Sequence, residues 1–92
     1  MSASTLRKLQ QARERLNQGD LAGAAYVCDE VLRRAPRNPD ALGLLGTIRL
    51  MTGQPAIAAP LLERAVAAMP GHGPALENLG LARLLLGDNA AA

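Results

Sequence analysis

The sequence predicts an all-α fold, an antiparallel helix-hairpin solenoid of about two and a half repeats built from roughly five helices. Three observations predict it. First, residues recur at a spacing of about 34. Pro36 pairs with Pro70, Gly46 with Gly80, Leu45 with Leu79, Leu42 with Leu76 and Ala41 with Ala75. Gly19, Gly53 and Gly87 share the period, as do Ala24, Ala58 and Ala92. Second, 49% of the residues are apolar, yet Tyr26 is the only aromatic and no β-branched run suggests a sheet. The core must come from Leu, Ala, Val and Met, and Ala and Leu are the strongest helix formers. Third, the breaks between periodic stretches are short and rich in Gly and Pro, which turns each helix antiparallel to its neighbour.

The first helix is expected from about Ser4 to Gln18, with Leu6, Leu9, Ala12 and Leu16 at helical spacing and Ser4 or Thr5 as cap. Gly19-Asp20 ends it. The second runs from about Leu21 to Arg34, with Ala24, Cys28, Val31 and Leu32 facing inward. Arg33 and Arg34 suit the negative end of its dipole. Asn38 caps the third helix, which starts at Pro39 or Asp40 and reaches Met51 or Thr52. The fourth spans about Pro55 to Ala68. Pro60 lies in its second turn and predicts a kink or a late start. The fifth spans about Pro74 to Leu86. Residues 1–92 thus read as one domain, with units at about 5–38, 39–72 and a partial one at 73–92.

The net charge of +2 says little about a partner. Seven of the ten Lys and Arg residues fall in the first 37 positions, among Glu14, Asp20, Asp29 and Glu30. A solvated outer helix face accounts for them. The single aromatic among them, Tyr26, makes no stacking platform for bases, so nucleic acid is disfavoured. Cys28 has no partner for an internal disulfide and fits a buried position, which agrees with a reducing, cytoplasmic setting. No apolar run approaches the ~20 residues of a membrane span. His72 stands alone between Gly71 and Gly73, without the second His or Cys pair of a metal site. Such a turn histidine is expected to be structural or solvent-facing. No nucleophile-base order, phosphate loop or paired carboxylate cleft is present, so neither catalysis nor a cofactor is expected.

The recurring residues resemble those of the tetratricopeptide repeat (TPR) family. The second unit carries Leu42, Leu45, Gly46, Gly53, Ala58, Leu62, Ala65 and Pro70 in that pattern. The first carries Ala12, Gly19, Ala24, Cys28, Val31 and Pro36, and the third Leu76, Leu79, Gly80, Gly87 and Ala92. Arg15, Arg49 and Arg83 replace the family's usual Tyr, Lys8 its Trp or Leu, and Gln11 its Leu. Small residues let helix axes approach to ~8 Å. Gly46 is expected against Ala58 at such a crossing, and Gly80 at its equivalent.

The resemblance implies a module that holds a protein or peptide in the groove lined by the first helix of each unit. By register, that groove comprises Leu9, Arg13, Asn17, Asp40, Gly43, Leu44, Thr47, Met51, Glu77, Asn78, Leu81 and Leu85. An amphipathic helix or an extended apolar segment would suit it. Chaperone-binding members clamp a terminal carboxylate there with Lys and Arg; here Leu9, Arg13 and Asn78 hold those places, and Asp40 and Glu77 would repel an acidic tail. Asn78 matches one position of the asparagine ladder in sugar-transferring members, but Leu44 breaks it.

The last helix is apolar on almost every side, which leaves Leu79, Leu84 and Leu86 partly uncovered. Either the chain is a piece of a longer repeat protein, with a further helix beginning at Asn89-Ala90, or a second copy covers this face and makes a homo-oligomer. A different class of function also fits, the N-terminal regulatory or assembly segment of a larger enzyme such as a transferase.

Overall fold

The computed structural model describes residues 2–87. Ala92's place in the period and the further helix at Asn89-Ala90 lie outside the described residues. Five helices follow one another: α1 (Ala3–Asn17), α2 (Leu21–Arg34), α3 (Pro39–Met51), α4 (Pro55–Ala68) and α5 (Gly73–Leu85). No strand occurs among the described residues.

Local chemistry sets each boundary. The cap of α1 is Ser2, earlier than the expected Ser4 or Thr5; its Oγ accepts from the Thr5 N–H at 3.1 Å. The last turn of α1 closes through Gly19 at φ 83°. The Asp20 N–H reaches the Arg15 carbonyl at 2.8 Å, and the Gly19 N–H reaches that of Leu16 at 3.0 Å. That is the paired Schellman closure, and it needs the left-handed backbone glycine supplies. Gly53 repeats it at φ 74°, with Gln54 bonded to the Arg49 carbonyl at 2.8 Å. Asn38 caps α3 by accepting from Ala41 N–H at 3.0 Å, with Pro39 following as expected.

Asp20 caps α2. Its carboxylate accepts the Gly23 N–H at 2.9 Å and meets the Arg15 guanidinium at 3.1 Å. The backbone bond first, and Arg15 second, hold its carboxyl below the usual carboxylate value. A pKa depressed on folding contributes stability that is complete above the unfolded value and lost as pH falls through the folded one. Asp20→Asn keeps a capping oxygen but no charge. It is therefore expected to flatten the acid-side fall of melting temperature, and an unchanged fall would refute the assignment.

Pro60 does not delay α4, which begins at Pro55 and runs through it. Proline there removes the hydrogen bond to the carbonyl four residues earlier, that of Ala56. Ala56 and Pro60 are both exposed, so water can satisfy that carbonyl.

The helices pair as α1 with α2 and α3 with α4, and the pairs stack so that α3 touches both α1 and α5. The odd-numbered helices thus share one face. Between the layers lie Ala12, Ala24, Cys28, Leu45 and Ile48 at one level, and Leu42, Ala58, Leu62, Ala65, Ala75, Leu79 and Ala82 at the next. Tyr26, the only aromatic, is exposed, so the core is aliphatic. Burial pushes the Cys28 thiol up to about 12, and Asp29 adds to the shift. The thiol stays protonated and packs as a small hydrophobe.

Two close-packing expectations are corrected. A Cβ at Gly46 would meet Leu62 Cγ at 2.6 Å, so the partner at this crossing is Leu62, one turn beyond Ala58. Among the described residues, nothing lies within 4 Å of a Cβ position at Gly80, which is exposed. No described helix stands to α5 as α4 stands to α3.

Candidate functional site

The face shared by α1, α3 and α5 holds a hollow of about 210 Å³, lined by Arg13, Asp40, Gly43, Leu44, Thr47, His72 and Pro74. Each side chain arrives for a local reason. Asp40 sits in the first turn of α3, where the helix dipole favours a carboxylate. Arg13 comes from the middle of α1 and approaches Asp40 Oδ1 at 3.9 Å. That pair is half-exposed and contributes little energy.

His72 is the N-cap of α5. Its Nδ1 accepts the Ala75 N–H at 3.1 Å, so in the neutral ring the proton lies on Nε2. Nε2–H then donates to Asp40 Oδ1 at 3.2 Å. One imidazole therefore ties the start of α5 to the start of α3, and its side chain is only 13% exposed. His72→Ala is expected to destabilise the fold by about 1 kcal/mol, and His72→Asn to restore much of the loss by capping. Equal melting of all three proteins would show that the ring caps nothing.

A second polar link crosses the same face. Asn78 Nδ2 donates to Thr47 Oγ1 at 2.7 Å, and the Thr47 hydroxyl donates to the Gly43 carbonyl at 2.9 Å. The Asn78 N–H is thus already engaged within the fold. Around these links lie exposed apolar groups: Met51 on α3, with Leu81 and Leu85 on α5. Asn17 and Glu77 are exposed as well.

The structure gathers Arg13, Asp40, Gly43, Leu44 and Thr47 around one hollow and ties Asn78 to it. Leu9 must be removed from the groove. It is 1% exposed and packs with Val31 and Ala41, because the next hairpin covers that side of α1. Leu79 likewise leaves the set of uncovered apolar residues. It is 6% exposed, held in the core against α4, whereas Leu84 and Leu86 are exposed. His72 and Pro74 were missed as lining residues. The signal existed, since His72 occupies the repeat position of the capping Asn38.

A larger hollow of about 570 Å³ opens at the hairpin ends, between Ser2, Thr5 and the Ala35–Asn38 loop. It gathers no pair of opposed charges, and the odd-helix face remains the candidate. Among the described residues no cluster of His, Cys, Asp or Glu could hold a metal. No described helix is long and apolar enough to cross a membrane.

The sequence profile of a family described as tetratricopeptide repeat matches residues 9–56 and again 50–92. No curated protein matches the chain. Among solved structures, the globular C-terminal domain of P. aeruginosa LpoP is 29% identical with a TM-score of 0.85, covering 99% of this chain and 90% of that one. The Sgt2 TPR domain from Aspergillus fumigatus shares the fold at a TM-score of 0.87 and 24% identity, over 95% of this chain and 58% of that one. A Thermobaculum terrenum O-GlcNAc transferase mutant is 34% identical at a TM-score of 0.80, over 91% of this chain but only 17% of the transferase.

Proposed function

The chain belongs to the tetratricopeptide repeat family, and from that premise we propose that it holds a peptide segment of another protein against the face shared by α1, α3 and α5. Repeats of this family generally mediate protein–protein interaction. The observation that carries the finer reading is the hollow itself, with its Asp40–His72 link, on helices that also expose Met51, Leu81 and Leu85 farther along their length. Leucine and methionine left in water on a recessed face suit an apolar side of a guest. The fixed polar groups then set its register, since an unmatched polar contact costs more than an absent apolar one. Asp40 and Glu77 disfavour a guest ending in a free carboxylate.

The test is selection of a displayed random peptide library on the purified chain, followed by affinity measurement of the enriched sequences. Met51→Glu with Leu81→Glu alters exposed residues only, so the fold is retained. Affinity should fall by about tenfold or more. Unchanged affinity in the double variant would overturn the site.

A second reading is favoured by the match to a stretch of a transferase. In it the segment belongs to a larger enzyme and positions that enzyme's protein substrate. An antibody against the segment would then stain a species far above 9.6 kDa in the native cell. A band at that mass alone would dismiss this reading.

A further inference from the structure

Two arginines from distant parts of the chain meet at one hollow away from the odd-helix face. It has a volume of about 480 Å³, lies between the α2–α3 loop and the end of α4, and is lined by Arg37, Leu42, Arg64, Ala67 and Ala68. Arg64 is held in place. Its Nη2 donates to the Pro36 carbonyl at 3.0 Å, which ties this guanidinium to the loop that carries Arg37. That bond uses one of five N–H donors and leaves the rest free for a guest. Lys8, Arg13, Arg15 and Arg83 each face an acid of the same chain, namely Glu30, Asp40, Asp20 and Glu63. Among the described residues no carboxylate pairs with Arg37 or Arg64. Two like charges on one recess repel each other, and an anionic guest relieves that repulsion.

We propose that the Arg37–Arg64 hollow binds an acidic segment of another protein, with carboxylate side chains on the two guanidinium groups and an apolar side chain against Ala67 and Ala68. A guanidinium fork meets a carboxylate through two parallel hydrogen bonds, which fixes orientation as well as charge. Ala67 and Ala68 are exposed and offer apolar contact beside the charges. The recess continues past Arg37 towards Ser2 and Thr5, a track that suits a chain segment more than one small anion. Nucleic acid fits it less well, because no aromatic ring lines the hollow for a base to stack on. A second copy of this chain is a poor occupant, since Asp20, Glu30, Asp40 and Glu63 already face its own cations. The site shares no lining residue with the hollow on the odd-helix face, so it stands independently of the function proposed above.

The probe is a short fluorescent peptide alternating glutamate with leucine, titrated into the whole chain at about 0.15 M salt, where exposed charges beyond ~8 Å are screened. A second peptide carries glutamine in place of each glutamate. Two double variants complete the test. Arg37→Gln with Arg64→Gln strips the hollow of charge. Arg33→Gln with Arg34→Gln removes the same charge from the end of α2, outside the hollow. All four side chains are exposed, so both variants keep the fold. Saturable binding that weakens by about tenfold or more in the first variant, and by less than about threefold in the second, supports the proposal. The glutamine peptide should bind about tenfold more weakly or worse. Absence of binding to the parent chain, equal loss in the two variants, or equal binding of the glutamine peptide would overturn it. So would a single-stranded oligonucleotide that displaces the peptide and binds more tightly, or a dimer in sedimentation that only the first variant abolishes, since nucleic acid or a second copy would then be the occupant.

Discussion

Gly46→Leu is expected to abolish the cooperative thermal transition of this protein. A Cβ at that position meets Leu62 Cγ at 2.6 Å and Cδ2 at 2.7 Å, and a leucine would drive three more carbons into the same space. Leu62 cannot turn aside, because it is fully buried among Leu42, Ala58 and Ala65. Ordinary overpacking by a methylene or two costs about 1–3 kcal/mol, and this replacement forces apart two helix backbones. The damage does not stay local. Helix α3 is the one element in contact with α1, α2, α4 and α5. A small domain has ~5–10 kcal/mol to lose, so the whole stack should fail. The matched control is Gly80→Leu. No atom of the described residues lies near its Cβ, and leucine improves helix propensity by roughly 1 kcal/mol. That variant should melt at or above the parent temperature. Parent-like melting of Gly46→Leu would show that the α3–α4 crossing is looser than drawn.

Leu9→Ala should destabilise the fold by about 2–5 kcal/mol, measured by denaturant unfolding, despite its position in the family's ligand-contact register. Leu9 is almost wholly buried against Val31 and Ala41. Truncation leaves a cavity where α1, α2 and α3 meet. A groove residue would behave differently: Met51→Ala, on an exposed side chain, should change stability by about 0.5 kcal/mol or less. If Leu9→Ala proves as mild as Met51→Ala, the first hairpin is not packed on the second at this level.

These two variants separate what could be read from residue order from what could not. The helix positions were legible because each helix carries its own instructions. Asn38-Pro39 starts α3, Gly19 and Gly53 close hairpins through left-handed turns, and the apolar spacing marks an inner stripe. The cap of α1 is Ser2, two residues before the expected Ser4, because the two serines are equally good caps in isolation. The role of His72 was legible in principle, from its repeat position alone, but histidine is an uncommon cap beside Asn, Asp and Ser. The choice of Leu62 rather than Ala58 as the neighbour of Gly46 needed the relative slide of two helices along each other. No spacing within one helix encodes that.

By itself, the order of amino acids determined an all-α stack of helical hairpins, its turns, its aliphatic interior and the family to which it belongs. It did so because hydrogen-bonded turns, caps and a period of about 34 residues are properties of neighbouring positions along the chain. Only the tertiary structure decided that Leu9 and Leu79 are interior, that Gly46 is crowded while Gly80 is open, and that Arg13, Asp40 and His72 converge on one hollow. A helical period tells which side of a rod is apolar. Whether another rod covers that side depends on groups remote in sequence, and burial is settled there.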